Sequence, residues 1–329
     1  MLAKLHEDVQ RDYANQKIEN LNKLKIRKEE VQKLCPEIID IDDKLKKLYP
    51  KLTFIALNGS EDEALEMKML INRLLDDKKS ILIKNNIEPD YVNKIYFCEK
   101  CKDTGLIEAG VRCQCYYNAL SKKMLEMFKL TKKLNEENFE TFSLDFFSKD
   151  KDPNTGVSPY DQINSNLKKI HSATKNSEDL ENIYIYGDTG TGKTFLLNCI
   201  ANKVLNMNNS IVYLPAQELL NIINAFKFNN NTHEFANAEF YNFLCSCDML
   251  LIDDLGTEAN TTFAQAEFFY LLDLRIRNKR ATVISSNLGL GDLENNYNQR
   301  ISSRIVGEFN LLKMSGTNIR ISKKYGQNF

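Results

Sequence analysis

The sequence predicts an α/β protein: a P-loop nucleotide-binding core with a parallel sheet flanked by helices, preceded by a helical region and a small zinc-binding module. Three observations carry that expectation. Gly187-Asp188-Thr189-Gly190-Thr191-Gly192-Lys193-Thr194 stands between an apolar run and a helical stretch. Around it, short apolar runs alternate with helical patterns, as in sheets whose parallel strands are buried on both faces. Before it, four cysteines crowd the segment from Cys98 to Cys115.

The first part of the chain, residues 1–95, reads as helical. Leu21, Leu24, Ile26, Val31 and Leu34 recur near helical spacing among Lys, Glu and Asp residues. Pro36 and Pro50 punctuate the run, and Asn58-Gly59-Ser60 marks a turn before a second helix from about Glu61 to Asn86. The pattern fits a helical hairpin or short coiled coil, either packed on its own domain or offered to a partner. Residues 96–135 hold the cysteine module and a helix from about Asn118 to Leu134. Residues 136–158 form a linker, richest in Lys, Asp, Pro, Asn and Gly from Ser148 to Ser158. The core then runs from 159 to 329. Its strands are expected at Ile183–Tyr186, Ser210–Leu214, Met249–Ile252 and Ala281–Ile284, and the helix after the P-loop at Phe195–Leu205.

Composition excludes some functions. With 44 basic against 45 acidic residues, the chain has no large basic field, so any nucleic-acid contact must come from local clusters. No long uncharged apolar stretch marks a membrane span, and the charged start lacks a secretory signal. A cytoplasmic protein is expected, with no membrane partner. In that compartment the eight cysteines read as thiols or metal ligands before disulfides.

The P-loop needs glycines because its backbone must turn tightly and aim N–H groups at phosphate oxygens. Lys193 would reach the β- and γ-phosphates of ATP, and the Thr194 hydroxyl would ligate Mg²⁺. Asp248-Met249-Leu250-Leu251-Ile252-Asp253-Asp254 is an apolar run ending in two carboxylates, at the strand end where ligands bind. Asp253 would hold Mg²⁺ and Asp254 would orient or deprotonate the attacking water. Asn287, after Val283-Ile284-Ser285-Ser286, would hydrogen-bond the γ-phosphate or the lytic water. Arg300 and Arg304 stand four apart, on one face if helical. One of them, Arg304 by preference, would serve as an arginine finger in a neighbouring subunit's site.

With those elements in order, residues 139–325 resemble the AAA+ ATPases of the bacterial helicase-loader family, the DnaC/DnaI type. The resemblance rests on Asn138-Phe139-Glu140-Thr141-Phe142, the P-loop, Leu251-Ile252-Asp253-Asp254-Leu255-Gly256-Thr257-Glu258, Ser285-Ser286-Asn287 and Arg300-Ile301-Ser302-Ser303-Arg304. It implies Asn287 as sensor 1 and Arg304 as the finger. It also implies slow, switch-like ATP hydrolysis and delivery of a replicative hexameric helicase onto single-stranded DNA, with no room after Arg320 for a helical lid. Transposase helper ATPases of the IstB type share this core and are the alternative.

Cys98-Glu99-Lys100-Cys101 and Cys113-Gln114-Cys115, with turns at Asp103-Thr104-Gly105 and Gly110, supply four thiolates for a closed structural Zn²⁺ site. A cysteine module before the core resembles the helicase-binding amino-terminal domain of DnaI-type loaders and favours a loader over a transposase helper. Cys35, Cys199, Cys245 and Cys247 read as buried packing. For DNA, the candidates are the stretch Leu219–Phe243 with Phe226, Lys227 and Phe228, and the basic run Arg275, Arg277, Lys279 and Arg280.

Overall fold

A computed structural model describes residues 2–228, 234–258 and 261–325. The chain divides into two compact units, Arg11–Gly105 and Met1–Gln10 with Leu106–Phe329.

The smaller unit is helical. It holds residues 11–34 of α1 (Leu2–Leu34), with α2 (Glu37–Asn58) and α3 (Glu61–Lys84). Ser60 caps α3: its hydroxyl accepts the Glu63 N–H while the Glu63 carboxylate accepts the Ser60 N–H, so two orphan amides are satisfied reciprocally. α2 and α3 pack on Ile41, Leu45 and Ile71, and a second cluster joins Val31, Cys35, Ile38 and Leu82. The helices fall where the spacing placed them, with one difference. Pro50 lies inside α2 and does not end it.

In the larger unit, α4 (Gln114–Met127) and α5 (Leu130–Glu136) lead to α6 (Pro159–Ala173). The core follows as β1 (Ile183–Gly187), α7 (Lys193–Asn206), β2 (Ile211–Pro215), α8 (Ala216–Phe228), α9 (Glu234–Ser246), β3 (Met249–Leu255) and α10 (Thr262–Arg277). It ends with β4 (Ala281–Ser286), α11 (Leu290–Tyr297), α12 (Gln299–Glu308), β5 (Asn310–Met314) and α13 (Ile319–Tyr325). The strands form one parallel sheet in the order β2-β3-β4-β1-β5. The expected P-loop α/β core is borne out, and it is a parallel sheet flanked by helices. β5 is an addition that the apolar runs did not reveal.

The central strands are buried on both faces, from Ile183 to Ile185, Met249 to Ile252 and Ala281 to Ser286. That burial explains their near-continuous apolar sequence. Residues 136–158 do not hang free of the core. Phe139, Phe142, Leu144, Phe146 and Phe147 all pack on its main cluster. Their polar neighbours turn the chain at the surface: Asp152 accepts the N–H groups of Asn154 and Thr155. A composition that reads as a linker is therefore a strap held down by aromatic residues.

Candidate nucleotide site

The P-loop joins β1 to α7 at the carboxyl end of the sheet, where the helix amino terminus faces the ligand position. Two glycines there have no substitute. Gly187 turns at φ +146°, and a Cβ on it would lie 2.0 Å from the Met314 carbonyl oxygen. Gly190 turns at φ +87°, and a Cβ would lie 2.2 Å from Asn318 Oδ1. The loop is thus seated against β5 and the turn before α13, where the Ile319 N–H also donates to the Gly190 carbonyl at 2.9 Å.

Lys193 is 5% exposed, and its ammonium donates to the Gly187 and Asp188 carbonyls at 2.7 and 2.8 Å and to Asn287 Oδ1 at 2.7 Å. Burial pulls its pKa below the usual lysine value, while Asp254, Asp188 and Asp253 oppose the shift. With Oδ1 engaged by the lysine, the Asn287 amide N–H₂ remains as a donor.

Asp253 gathers three hydroxyls. Thr194 and Ser285 donate to Oδ1 at 3.2 and 2.5 Å, and buried Tyr213, from the middle of β2, donates to Oδ2 at 3.3 Å. Asp254 follows an irregularity in the ladder. Ile252 pairs Ile284 but Leu255 pairs Ser286, so β3 carries one extra residue. The bulge puts Asp254 at φ +56° and takes its N–H out of the ladder; Ser285 Oγ accepts that N–H at 3.0 Å. Burial, and then Asp253, push the Asp254 carboxyl above its ordinary value, with Lys193 opposing.

A cavity of about 300 Å³ is lined by Thr189, Gly190, Gly192, Lys193, Thr194, Asp254 and Asn287, with Asp253 bonded to it through Thr194. Lys133, Glu137, Phe195, Thr257, Ile319 and Arg320 complete its wall. Of the residues singled out in the sequence, the P-loop, both aspartates and Asn287 come together here. Arg304 does not. It lies on α12 in a surface groove with Arg300, Phe269 and Gln299, and it donates to Asp273 Oδ1 at 2.7 Å. Lys133, Glu137, Ser285, Tyr213 and Arg320 carried no role in the sequence reading. Lys133 and Glu137 belong to the segment before the core, and no motif spacing links them to a phosphate loop.

The DNA candidates divide. Arg275 is fully buried: its guanidinium donates to Leu244 O at 2.6 Å, Ala281 O at 2.5 Å and Thr282 Oγ1 at 3.0 Å. It is a core residue and no part of a basic surface. Arg277 pairs with Asp273 and Arg280 with Asp248. In the stretch Leu219–Phe243, Leu219, Ile223, Phe240 and Phe243 are buried, Phe226 stacks on Tyr241 and Lys227 pairs with Glu267. Residues 229–233 and the side chain of Phe228 lie outside the described residues.

Cys101 and Cys113 are buried, and Cys98 and Cys115 are half-buried. Four thiolates match the donor set of a closed tetrahedral zinc site. Cys35, Cys199, Cys245 and Cys247 are buried, as packing residues should be. No helix among the described residues is long and apolar enough to cross a membrane.

Comparison with known proteins agrees with this geometry. Residues 161–310 match the model of the bacterial DnaA ATPase domain. The chromosomal replication initiator DnaA of Campylobacter jejuni is 30% identical over 124 residues, 38% of this chain and 27% of that protein. DnaA of Buchnera aphidicola is 32% identical over 133 residues, 38% of this chain and 29% of that protein. The chain thus spans under a third of the length of these curated relatives. Among solved structures, the DnaC helicase loader aligns with 56% of this chain and 100% of its own (TM-score 0.46, 18% identity). DnaI aligns with 58% of this chain and 94% of its own (TM-score 0.43, 20% identity). The core is a P-loop ATPase domain, similar over residues 161–310 to that of DnaA.

Proposed function

We propose that the chain is an ATP-switched loader that delivers a replicative hexameric DNA helicase onto single-stranded DNA. The observation that carries this reading is the joining of Lys193, Asn287, Thr194 and Asp253 into one hydrogen-bonded site, in a chain whose core is preceded by a cysteine cluster. The core resembles those of replication initiators, and the cysteine module is the feature that points to a loader.

The residues fit ATP and Mg²⁺. Gly190 leaves no room for a Cβ, and buried Lys193 donates to the loop carbonyls. Mg²⁺, when bound, would neutralise phosphate charge; Thr194 and Asp253 would hold it. Lys193 would exchange its contacts with Asn287 and the loop carbonyls for β- and γ-phosphate oxygens. Asp254 would orient or deprotonate the attacking water, and Asn287 would offer its amide N–H₂ to the γ-phosphate or that water. As an aspartate its reach is short, which agrees with slow, switch-like hydrolysis. Arg304 lies outside its own chain's cavity, so a finger role needs a second subunit, either another copy of this chain or a partner in the complex. The four thiolates would hold Zn²⁺ in a structural site of the segment that grips the helicase.

Retention of the chain on a replicative hexameric helicase, compared in ATP and in ADP, tests the loader. Nucleotide-dependent retention is expected, and no retention in either nucleotide sinks the reading. Metal analysis of the same preparation should give about one zinc per chain. A metal-free preparation that is fully folded removes the zinc assignment and leaves the ATPase site standing.

A further inference from the structure

Glu258 closes the motif that begins at Leu251, yet it has no place in the chemistry above. It is 8% exposed, a rare burial for a carboxylic acid. Its two oxygens have different fates. Oε2 accepts the Gly256 N–H at 2.9 Å. Among the described residues, Oε1 is buried without a hydrogen-bond partner. It borders a cavity of about 10 Å³ walled by Leu219, Leu220, Leu255, Ala264, Phe268 and Tyr297. Tyr297 is 3% exposed, and its hydroxyl is likewise buried without a partner among the described residues. That volume is about the size needed for one water.

The tie to Gly256 matters because of what the turn carries. Asp254 stands at φ +56° and Gly256 at φ +103°, conformations that side-chain-bearing residues seldom hold unaided. The Thr257 hydroxyl donates to the Asp254 carbonyl at 2.9 Å, which closes the turn. Asp254 and Thr257 both face the nucleotide cavity, whereas Glu258 faces the core behind it. A carboxyl that costs free energy to bury is therefore spent on the backbone of the turn that aims Asp254, with the Gly256 N–H as its hydrogen-bond donor.

We infer that Glu258 is a positioning residue for Asp254, holding the turn 254–257 through the Gly256 N–H and reaching Tyr297 through a single buried water. Tyr297 ends α11, and the next residue, Asn298, caps α12 by accepting the N–H groups of Arg300 and Ile301. The buried carboxyl thereby joins the turn beside the nucleotide to the helix that carries Arg304. Burial pushes the Glu258 carboxyl above its ordinary value, and the backbone amides around it oppose that shift.

This inference rests on the reading of Asp254 as the water-orienting carboxylate, and the experiment separates the two. Steady-state ATP hydrolysis by the full chain is measured for wild type, E258M, E258Q and D254N, with thermal melting of each. Methionine suits the apolar cavity but cannot accept from Gly256; glutamine can. E258M should fold, lose about tenfold or more in kcat through the misplaced turn and keep KM for ATP within about threefold. E258Q should recover most of that kcat. Y297F should lose less than E258M, and the double variant Y297F/E258M no more than E258M alone. Full turnover by a folded E258M, or failure of E258Q to recover activity where E258M has lost it, overturns the positioning role. Full turnover by D254N removes the underlying reading instead, whatever Glu258 does.

Discussion

The single residue best defined by its surroundings is Asp253, because three hydroxyls from three elements converge on its carboxylate. Thr194 would turn to Mg²⁺ when nucleotide enters, leaving Ser285 and Tyr213 to fix the orientation of Asp253. Groups that orient a metal ligand commonly change metal affinity 10- to 100-fold when removed. Y213F should therefore raise the Mg²⁺ concentration for half-maximal hydrolysis by about tenfold. S285A should do the same and also loosen Asp254, whose N–H it accepts. Binding of nucleotide in excess chelator should stay within about twofold of wild type, since no metal ligand is then in play. A Mg²⁺ titration in which Y213F superimposes on wild type would refute this account. The aspartates and Asn287 were legible in the sequence because an apolar strand ending in a polar group is a local pattern. Tyr213 was not, because its partner lies 40 residues away and a Tyr in a buried strand reads as core.

At the scale of elements, the apolar runs located four of the five strands, and β5 escaped. Asn310-Leu311-Leu312-Lys313-Met314 alternates weakly, and two of its five residues are buried, Leu312 and Met314. It sits at the sheet edge beside β1, where one side needs no strand partner. Local pattern also misled in the basic run after Leu274. Arg275 and Arg277 look alike in sequence, but helical geometry sends one inward and the other to solvent. Buried Arg275 clamps the end of α9 to the start of β4 by donating to two backbone carbonyls and Thr282. R275M would strand those acceptors, at a cost of about 3 kcal/mol of unfolding free energy in a urea titration. R277M breaks an exposed pair with Asp273 and should cost under about 1 kcal/mol. Equal stability of the two variants would contradict the clamp.

For the molecule as a whole, charge sets the terms on which it can meet DNA. The sequence balances 44 basic against 45 acidic residues, and the structure pairs many of them off. Lys227 meets Glu267, Arg280 meets Asp248, and Asp273 holds both Arg277 and Arg304. A strand of DNA that engaged those cations would have to break existing ion pairs, each of which already satisfies the charge that a phosphate would neutralise. Few counterions would then be released on binding. The salt dependence of affinity follows the number of neutralised phosphates, with a slope of about −0.7 per phosphate on single strands in a plot of log K against log salt. Binding of single-stranded DNA by the isolated full chain should therefore show a slope no steeper than about −3, with the remaining affinity from stacking or from contacts supplied by the helicase. Measuring fluorescence anisotropy of a labelled oligonucleotide across a salt series gives that slope directly. A slope steeper than about −5 would mean seven or so phosphates neutralised. The ion pairs of Lys227, Arg277, Arg280 and Arg304 would then have to open on DNA, and the near-neutral charge balance would be a poor guide to the surface the protein presents.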